Sequence, residues 1–213
     1  MDRSIQIDTF NRIAQVSRET IRSLEKYEKM LINANNSLNL IGKSTIPEIW
    51  NRHFLDSFQV IDFIGKNEKS LIDIGSGAGF PGIILAIAAK DKKIPLKITL
   101  IDKSPKKIIF LKKIIKELNL NVQTLNKNIL DDDVKFIDDI FVARAFKPLS
   151  VILKLIHNKG GNWKKIFIFQ GKTWRKELQQ ASKNWDIEYK QRRSITNSDS
   201  AILEIKNFKK IKS

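Results

Sequence analysis

The sequence contains no cysteine and only two histidines, His53 and His157. Disulfides, thiolate metal centres and a cysteine nucleophile are thereby excluded, and two isolated imidazoles give no basis for a metal site. No apolar run approaches the roughly 20 residues that cross a bilayer, so no membrane partner is expected. The first twelve residues lack the basic-then-apolar layout of a secretory leader, which points to a cytoplasmic protein. Acidic residues are scarce beside basic ones, 23 against 39, for a formal net charge of +16. Such an excess suits a polyanionic partner, because each cation that neutralises a phosphate releases counterions. Most of it is lysine, and Lys, Ile and Asn abound throughout, so part of the charge follows from the base composition of the gene. A chain of 213 residues is long enough for one well-buried domain with an extension. It holds no internal repeat and no low-complexity segment.

Apolar residues recur at three- and four-residue spacing from Phe10 through Leu31, predicting one helix over residues 8–34. A polar link, 33–44, leads to a second helix over about 47–64, ended by Gly65-Lys66-Asn67. These helices read as an extension spanning 1–66, a candidate lid or RNA-facing element. From 67 to 213 strands and helices alternate. Strands are predicted at 71–74, 96–101, 121–125, 140–143 and 166–169, with helices at 80–90, 105–118, 148–156 and 174–183 between and after them. Ser104-Pro105 supplies a cap and a first-turn proline for the second of these helices. Strand–helix alternation predicts a doubly wound parallel sheet with ligands at the carboxyl ends of its strands. Two last strands, 186–192 and 201–206, flank the turn Asn197-Ser198-Asp199 and should pair antiparallel.

The run Asp73-Ile74-Gly75-Ser76-Gly77-Ala78-Gly79-Phe80-Pro81-Gly82 links the first of these strands to its helix. Glycines there let backbone N–H groups approach a nucleotide-like ligand. Gly77-x-Gly79-x-x-Gly82 with Asp102 twenty residues on fits the dinucleotide fingerprint. Asp73-x-Gly75-x-Gly77-x-Gly79 fits equally the first motif of S-adenosylmethionine-dependent methyltransferases. An acid at Asp73 would repel a pyrophosphate but attract a sulfonium and an amino group. Asp102, ending the second strand, is placed to accept both ribose hydroxyls.

Other candidates are less local. Arg52 and Asp56, four apart, and His53 and Asp56, three apart, should share helix faces, as an exposed ion pair or a pocket wall. His157 reads as structural. Arg144 is a cation at a strand's carboxyl end, and Phe146 beside it suits a base, an adenine or the core. Lys106, Lys107, Lys112, Lys113 and Lys116 form a solvated helix face or a phosphate contact, and Trp174-Arg175-Lys176 is similar.

Three segments together resemble the glucose-inhibited division protein B family, bacterial methyltransferases of guanine 527 N7 in 16S rRNA. They are Asn39–Thr45 leading through Ile49-Trp50 to Arg52–Ser57, the glycine run with Leu100–Ser104, and Arg144-Ala145-Phe146. The resemblance implies a class I methyltransferase fold, a Rossmann-like seven-stranded sheet with a final antiparallel strand. It implies S-adenosylmethionine as cofactor, met by Gly75, Phe80, Asp102, Ile129, Leu130 and Arg144, to which the glycine motif adds Asp73 and Gly77. Arg144 is the expected catalytic residue, with Arg52, His53, Phe146 and Lys172 toward substrate. The partner implied is 16S rRNA or the small ribosomal subunit or its precursor; with no coiled coil or evident dimer strand in the sequence, a monomer is expected. Leu130 stands where the family often has an acid, Ala34 where it has tryptophan, and Gln170-Gly171-Lys172 displaces the family's lysine. Guanine N7 carries a lone pair and no proton, so in-line transfer to it needs no general base. A methyltransferase of another RNA, a small molecule or a protein, a nicotinamide oxidoreductase and a non-catalytic RNA-binding module are the competing readings.

Overall fold

The computed structural model describes residues 2–131 and 134–211. Seven strands form one sheet: β1 (Ser70–Ile74), β2 (Lys97–Asp102), β3 (Val122–Asn126), β4 (Ile140–Arg144), β5 (Lys165–Gln170), β6 (Trp185–Arg193) and β7 (Ala201–Lys210). Their order is β3-β2-β1-β4-β5-β7-β6. The first five run parallel, whereas β7 is antiparallel to β5 and pairs antiparallel with β6. This is the arrangement that the resemblance implies, with the parallel sheet and antiparallel end that the sequence pattern predicts.

Central strands are apolar on both faces, and alternate residues feed two separate cores. Leu71, Ile98, Leu100, Ile140 and Val142 face one core, while Ile72, Ile74, Ile101, Phe141 and Ala143 face the other. Helices α1 (Arg3–Ala14), α2 (Arg18–Leu38), α4 (Gly82–Asp91) and α5 (Pro105–Glu117) cover the first face. Helices α6 (Leu149–Lys159) and α7 (Trp174–Ala181) cover the second. Helix α4 is apolar nearly all round because it is enclosed on nearly every side, including by α2. The N-terminal helices are therefore packed into the sheet's own core, with Phe10, Leu24, Tyr27 and Leu31 at most 1% exposed.

Two expectations for this region are corrected. The helix expected over 8–34 is two helices, broken where Gln15 takes a left-handed backbone (φ 48°). Ser17 restarts the chain as a cap, accepting the Thr20 N–H at 3.2 Å, and Asp91 of α4 accepts the Ser17 N–H at 3.0 Å. The break thus lets both helices lie on the core, which one straight helix would leave after a few turns.

The helix expected over 47–64 is a succession of turns. A 3₁₀ turn (Lys43–Glu48) holds Pro47, a π-helical turn covers Trp50–Leu55, and α3 (Asp56–Phe58) and a 3₁₀ turn (Ile61–Phe63) follow. Trp50, Phe54 and Phe58 are all buried at four-residue spacing. In a regular α-helix that spacing drifts by about 40° per step; a wider turn takes the drift back. Phe10 meets the outer two edge-on, at 5.5 and 5.4 Å.

Candidate active site

The sheet order reverses between β1 and β4, and at such a switch point the connections diverge to leave a crevice at the strands' carboxyl ends. The glycine-rich turn leaves β1 there, and Arg144 ends β4 beside it. Gly75 (φ 71°) is required twice over: its backbone is left-handed, and any Cβ would collide with the Phe146 ring. Gly82 opens α4 hard against β2, where a Cβ would strike Leu100 and come within 2.7 Å of Asp73 Oδ2.

Asp73 lies beneath this turn, fully buried. Its Oδ2 accepts the Gly82 N–H at 2.9 Å, while its Oδ1 has no partner among the described residues. Burial pushes its pKa up to about 7, against the opposing pull of the Gly82 N–H. Asp102 props the same turn from β2: its Oδ2 accepts the Gly77 N–H at 2.9 Å and its Oδ1 the Ser104 N–H at 2.8 Å. From the opposite side, the Tyr27 hydroxyl donates to the Ala78 carbonyl at 2.6 Å.

Across the switch point, Arg144 is clamped rather than free. Its Nε lies 3.3 Å from Asp56 Oδ2, Nη2 donates to the Arg52 carbonyl at 2.7 Å, and Nη1 donates to Ser57 Oγ at 3.3 Å. Nη2 also lies 3.3 Å from His53 Nδ1. That contact makes Nδ1 the acceptor, which leaves the ring proton on Nε2, 2.8 Å from Thr45 Oγ1. Burial first, then Arg144 and Arg52, lowers the His53 pKa to about 3. The imidazole is therefore neutral at neutral pH. It stacks on Phe80 with ring centres 4.9 Å apart, and Phe80 is in turn packed among Tyr27 and Phe54. Burial lowers the Arg144 pKa from its ordinary value, and Asp56 opposes that shift.

Asp56 is the hub of this half. Besides Arg144, its Oδ1 accepts from Gln59 Nε2 at 2.9 Å, Thr196 Oγ1 at 3.0 Å and Ser194 Oγ at 3.2 Å. The β6–β7 turn is thereby tied to the π-helical turn. The expected Arg52–Asp56 pair does not form: Arg52 pairs with Glu48 at 3.7 Å instead. Asp56 is instead taken by Arg144 and the β6–β7 turn, while Arg52 stays about half exposed at the rim. No local pattern signals Ser194 and Thr196, which lie 138 and 140 residues from Asp56, whereas Gln59 is only three residues from it, at helical spacing.

A cavity of about 480 Å³ opens beside Arg144, between the ends of β4 and β5 and the β6–β7 turn. Asp56, Phe146, Phe169, Gln170 and Glu177 line it. Ala145 holds a left-handed backbone (φ 50°), and this turn sets Phe146 over Gly75. Lys172 is exposed and stands outside the cavity lining. Ile129 turns its side chain into the core, with Lys159 Nζ on its carbonyl at 3.3 Å, whereas Leu130 is exposed. His157 packs against Trp185 and Phe208, a structural placement.

The donor set fits a cofactor with cationic charge and ribose hydroxyls. A buried carboxyl with an orphaned oxygen and a second carboxylate flank the turn, and a Cβ at Gly77 would meet nothing nearer than 3.8 Å. Among the described residues, no group of three or more His, Asp or Glu could hold a metal, and no helix is long and apolar enough to cross a membrane.

Residues 20–205 match the family described as rRNA small subunit methyltransferase G. The ribosomal RNA small subunit methyltransferase G of Pelagibacter ubique (strain HTCC1062) is 39% identical over 197 residues, covering 92% of each chain. Its counterpart from Rickettsia akari (strain Hartford) is also 39% identical, over 92% of this chain and 99% of that one. Among solved structures, a putative S-adenosyl-L-methionine-dependent methyltransferase from Methanococcus maripaludis is similar at TM-score 0.54 and 16% identity, over 84% of this chain and 91% of that one. A TehB-like SAM-dependent methyltransferase from Corynebacterium glutamicum gives 0.52 at 15% identity, over 72% and 87%. At such identities these structures bear on the fold alone.

Proposed function

This chain belongs to the rRNA small subunit methyltransferase G family, and from that premise we propose that it methylates N7 of guanine 527 in 16S rRNA, using S-adenosylmethionine. The observation that carries this to a particular site is the two-sided crevice at the β1–β4 switch point. On one flank stands the glycine turn with its two acids; on the other, the cavity beside Arg144. When bound, the cofactor supplies a methyl group on a positively charged sulfur.

The chain's own residues divide the remaining work. Gly75 and Gly77 give the ligand access to backbone, and Asp102 is the acceptor for ribose hydroxyls. Asp73 favours positive charge in front of the turn, from behind it. Phe146 and Phe169 offer apolar faces against which a purine can stack in the cavity beside Arg144. Guanine N7 has no proton to lose, so no group here need act as a base; proximity and orientation carry the rate. The methylated ring becomes cationic, which a protonated histidine would oppose, and His53 is held neutral. Arg144 brings its charge already partnered by Asp56, suiting it to hold O6, a phosphate or the cofactor carboxylate rather than to press on N7. The substrate is 16S rRNA, free or within the small subunit or its precursor, and the place of work the cytoplasm.

Mass mapping of 16S rRNA from a strain lacking the gene tests the assignment. Loss of one 7-methylguanosine at position 527, restored by the gene, is expected; its retention overturns the reading. Arg144→Ala should lower transfer at least tenfold or weaken cofactor binding, and a variant intact in both removes Arg144 from the mechanism.

A further inference from the structure

Across the β6–β7 turn from the Arg144 cavity lies a second hollow of about 530 Å³, walled by Trp174, Arg175, Gln191, Arg193 and the turn itself. Three hollows meet at Ser200, and only this one has no carboxylate in its wall. The Arg144 cavity includes Asp56 and Glu177, and a third hollow of about 290 Å³ includes Glu48 and Asp56. The turn's own Asp199 lies outside all three linings. Arg175 and Arg193 are exposed and have no carboxylate within ion-pair distance among the described residues. The Arg175 guanidinium rests over the Trp174 ring, 4.5 Å from its centre, which orders it without spending its charge. Two planar forks with no internal anion, beside the Gln191 amide and the Ser198 hydroxyl, form a receptor for phosphate oxygens.

Ser194 and Ser200 belong to both this hollow and the Arg144 cavity. A strand with one base in the cavity can therefore carry its backbone over the turn and into the hollow. We propose that the hollow is a phosphodiester subsite for the RNA strand that bears the target base, held by Arg175 and Arg193. This rests on the rRNA methyltransferase reading above. It also chooses between two basic surfaces, because the exposed lysines of α5, Lys106, Lys112, Lys113 and Lys116, stand on a helix face that lines none of the three hollows.

The test compares the full chain with Arg175→Glu/Arg193→Glu and with Lys112→Glu/Lys113→Glu, binding a fluorescent 16S rRNA fragment between 50 and 200 mM salt, roughly the range over which such contacts are screened. The arginine variant should bind at least tenfold more weakly, and its log–log salt slope should flatten by about 1.4, two single-strand phosphate contacts at about 0.7 each. The lysine variant should lose less than threefold, and cofactor affinity by calorimetry should be unchanged in both. Arg175→Gln/Arg193→Gln guards against reversal artefacts and should flatten the slope equally. Unchanged affinity and slope in the arginine variants overturns the subsite, as does an equal loss in the lysine variant. Methyl transfer by the parent protein to 16S rRNA is scored alongside. Its absence defeats the parent reading, whereas its presence with unaltered arginine variants defeats the subsite alone.

Discussion

The two flanks of the switch-point crevice are built in opposite ways. On the β1–β2 flank, the carboxylate bonds that shape the turn join Asp73 to Gly82 and Asp102 to Gly77 and Ser104, residues 2 to 25 apart, and the Tyr27 hydroxyl adds one across 51. On the β4–β5 flank, Asp56 reaches Ser194 across 138 residues and Thr196 across 140, and Arg144 reaches Ser57 across 87. The first flank is mainly a local motif, built by a contiguous run and the next strand. The second exists only once sheet, π-helical turn and terminal hairpin have come together. A local flank should answer to glycine geometry, and an assembled flank to the loss of any hub that several elements share.

The largest effect is expected at the hub. Asp56→Ala leaves the Arg144 guanidinium without its carboxylate in a site where both side chains are under a fifth exposed. Breaking a buried pair costs about 3–5 kcal/mol, and residual exposure puts this one near the lower end, about 3 kcal/mol. Urea unfolding of Asp56→Ala, Arg144→Ala and the double variant should give a coupling above about 1 kcal/mol. Additive losses would mean that the assembled flank is not one unit.

Next comes the local flank. Gly82→Ala drives a methyl into Leu100 and Asp73 and should cost about 1–3 kcal/mol, seen as a lowered urea midpoint at constant slope. A cost below about 0.5 kcal/mol would show that α4 can slide away from β2, so that the motif is less rigid than its hydrogen bonds suggest.

A third test separates the flanks by pH. Asp73 has its pKa raised from 3.8 to about 7, so between those values the folded chain keeps a proton that the unfolded chain releases. Stability from this group is full below pH 3.8 and is lost as pH rises through 7. His53, lowered from 6.5 to about 3, works the other way: its contribution is full above pH 6.5 and is lost as pH falls toward 3. The two nearly offset in the parent chain. Asp73→Asn removes one side only, so the variant should gain on the parent by more than about 1 kcal/mol between pH 4 and 8, at about 1.4 kcal/mol per unit of pKa. A difference independent of pH would return Asp73 to an ordinary carboxyl.

The same contrast accounts for what could be read from sequence. Five parallel strands, the glycine turn, the Ser104 cap and the antiparallel end announce themselves through short-range periodicity and turn chemistry, and the sheet follows them. Gln15 is not a residue that advertises a left-handed break; tertiary packing of Phe10 and Tyr27 imposes it. The π-helical turn is likewise set by where Trp50, Phe54 and Phe58 must point, and Asp56 pairs with Arg144, Ser194 and Thr196, far along the chain, rather than with Arg52. Even the Asp73 argument changes on folding. Burial favours the protonated carboxyl, so its charge alone weighs less against a pyrophosphate than the bare sequence suggests. The fold and the family carry that choice instead.

The smallest predicted effect is the most discriminating. Ser194 Oγ accepts the Thr196 N–H at 3.2 Å and lies 3.2 Å from Asp56, but Asp56 keeps Thr196 Oγ1, Gln59 and Arg144 when that hydroxyl is removed. Ser194→Ala should therefore cost only about 0.5–1.5 kcal/mol, the net worth of one hydrogen bond. Its reach is what matters. If the flanks are energetically separate, S-adenosylmethionine affinity by calorimetry stays within twofold of the parent while RNA binding weakens, because the turn that carries Ser194 borders the Arg144 cavity and not the glycine motif. A larger loss of cofactor affinity would show that the hairpin, through Asp56 and Arg144, also holds the turn after β1. The crevice would then be one assembled site, and the contiguous motif merely its most conspicuous part.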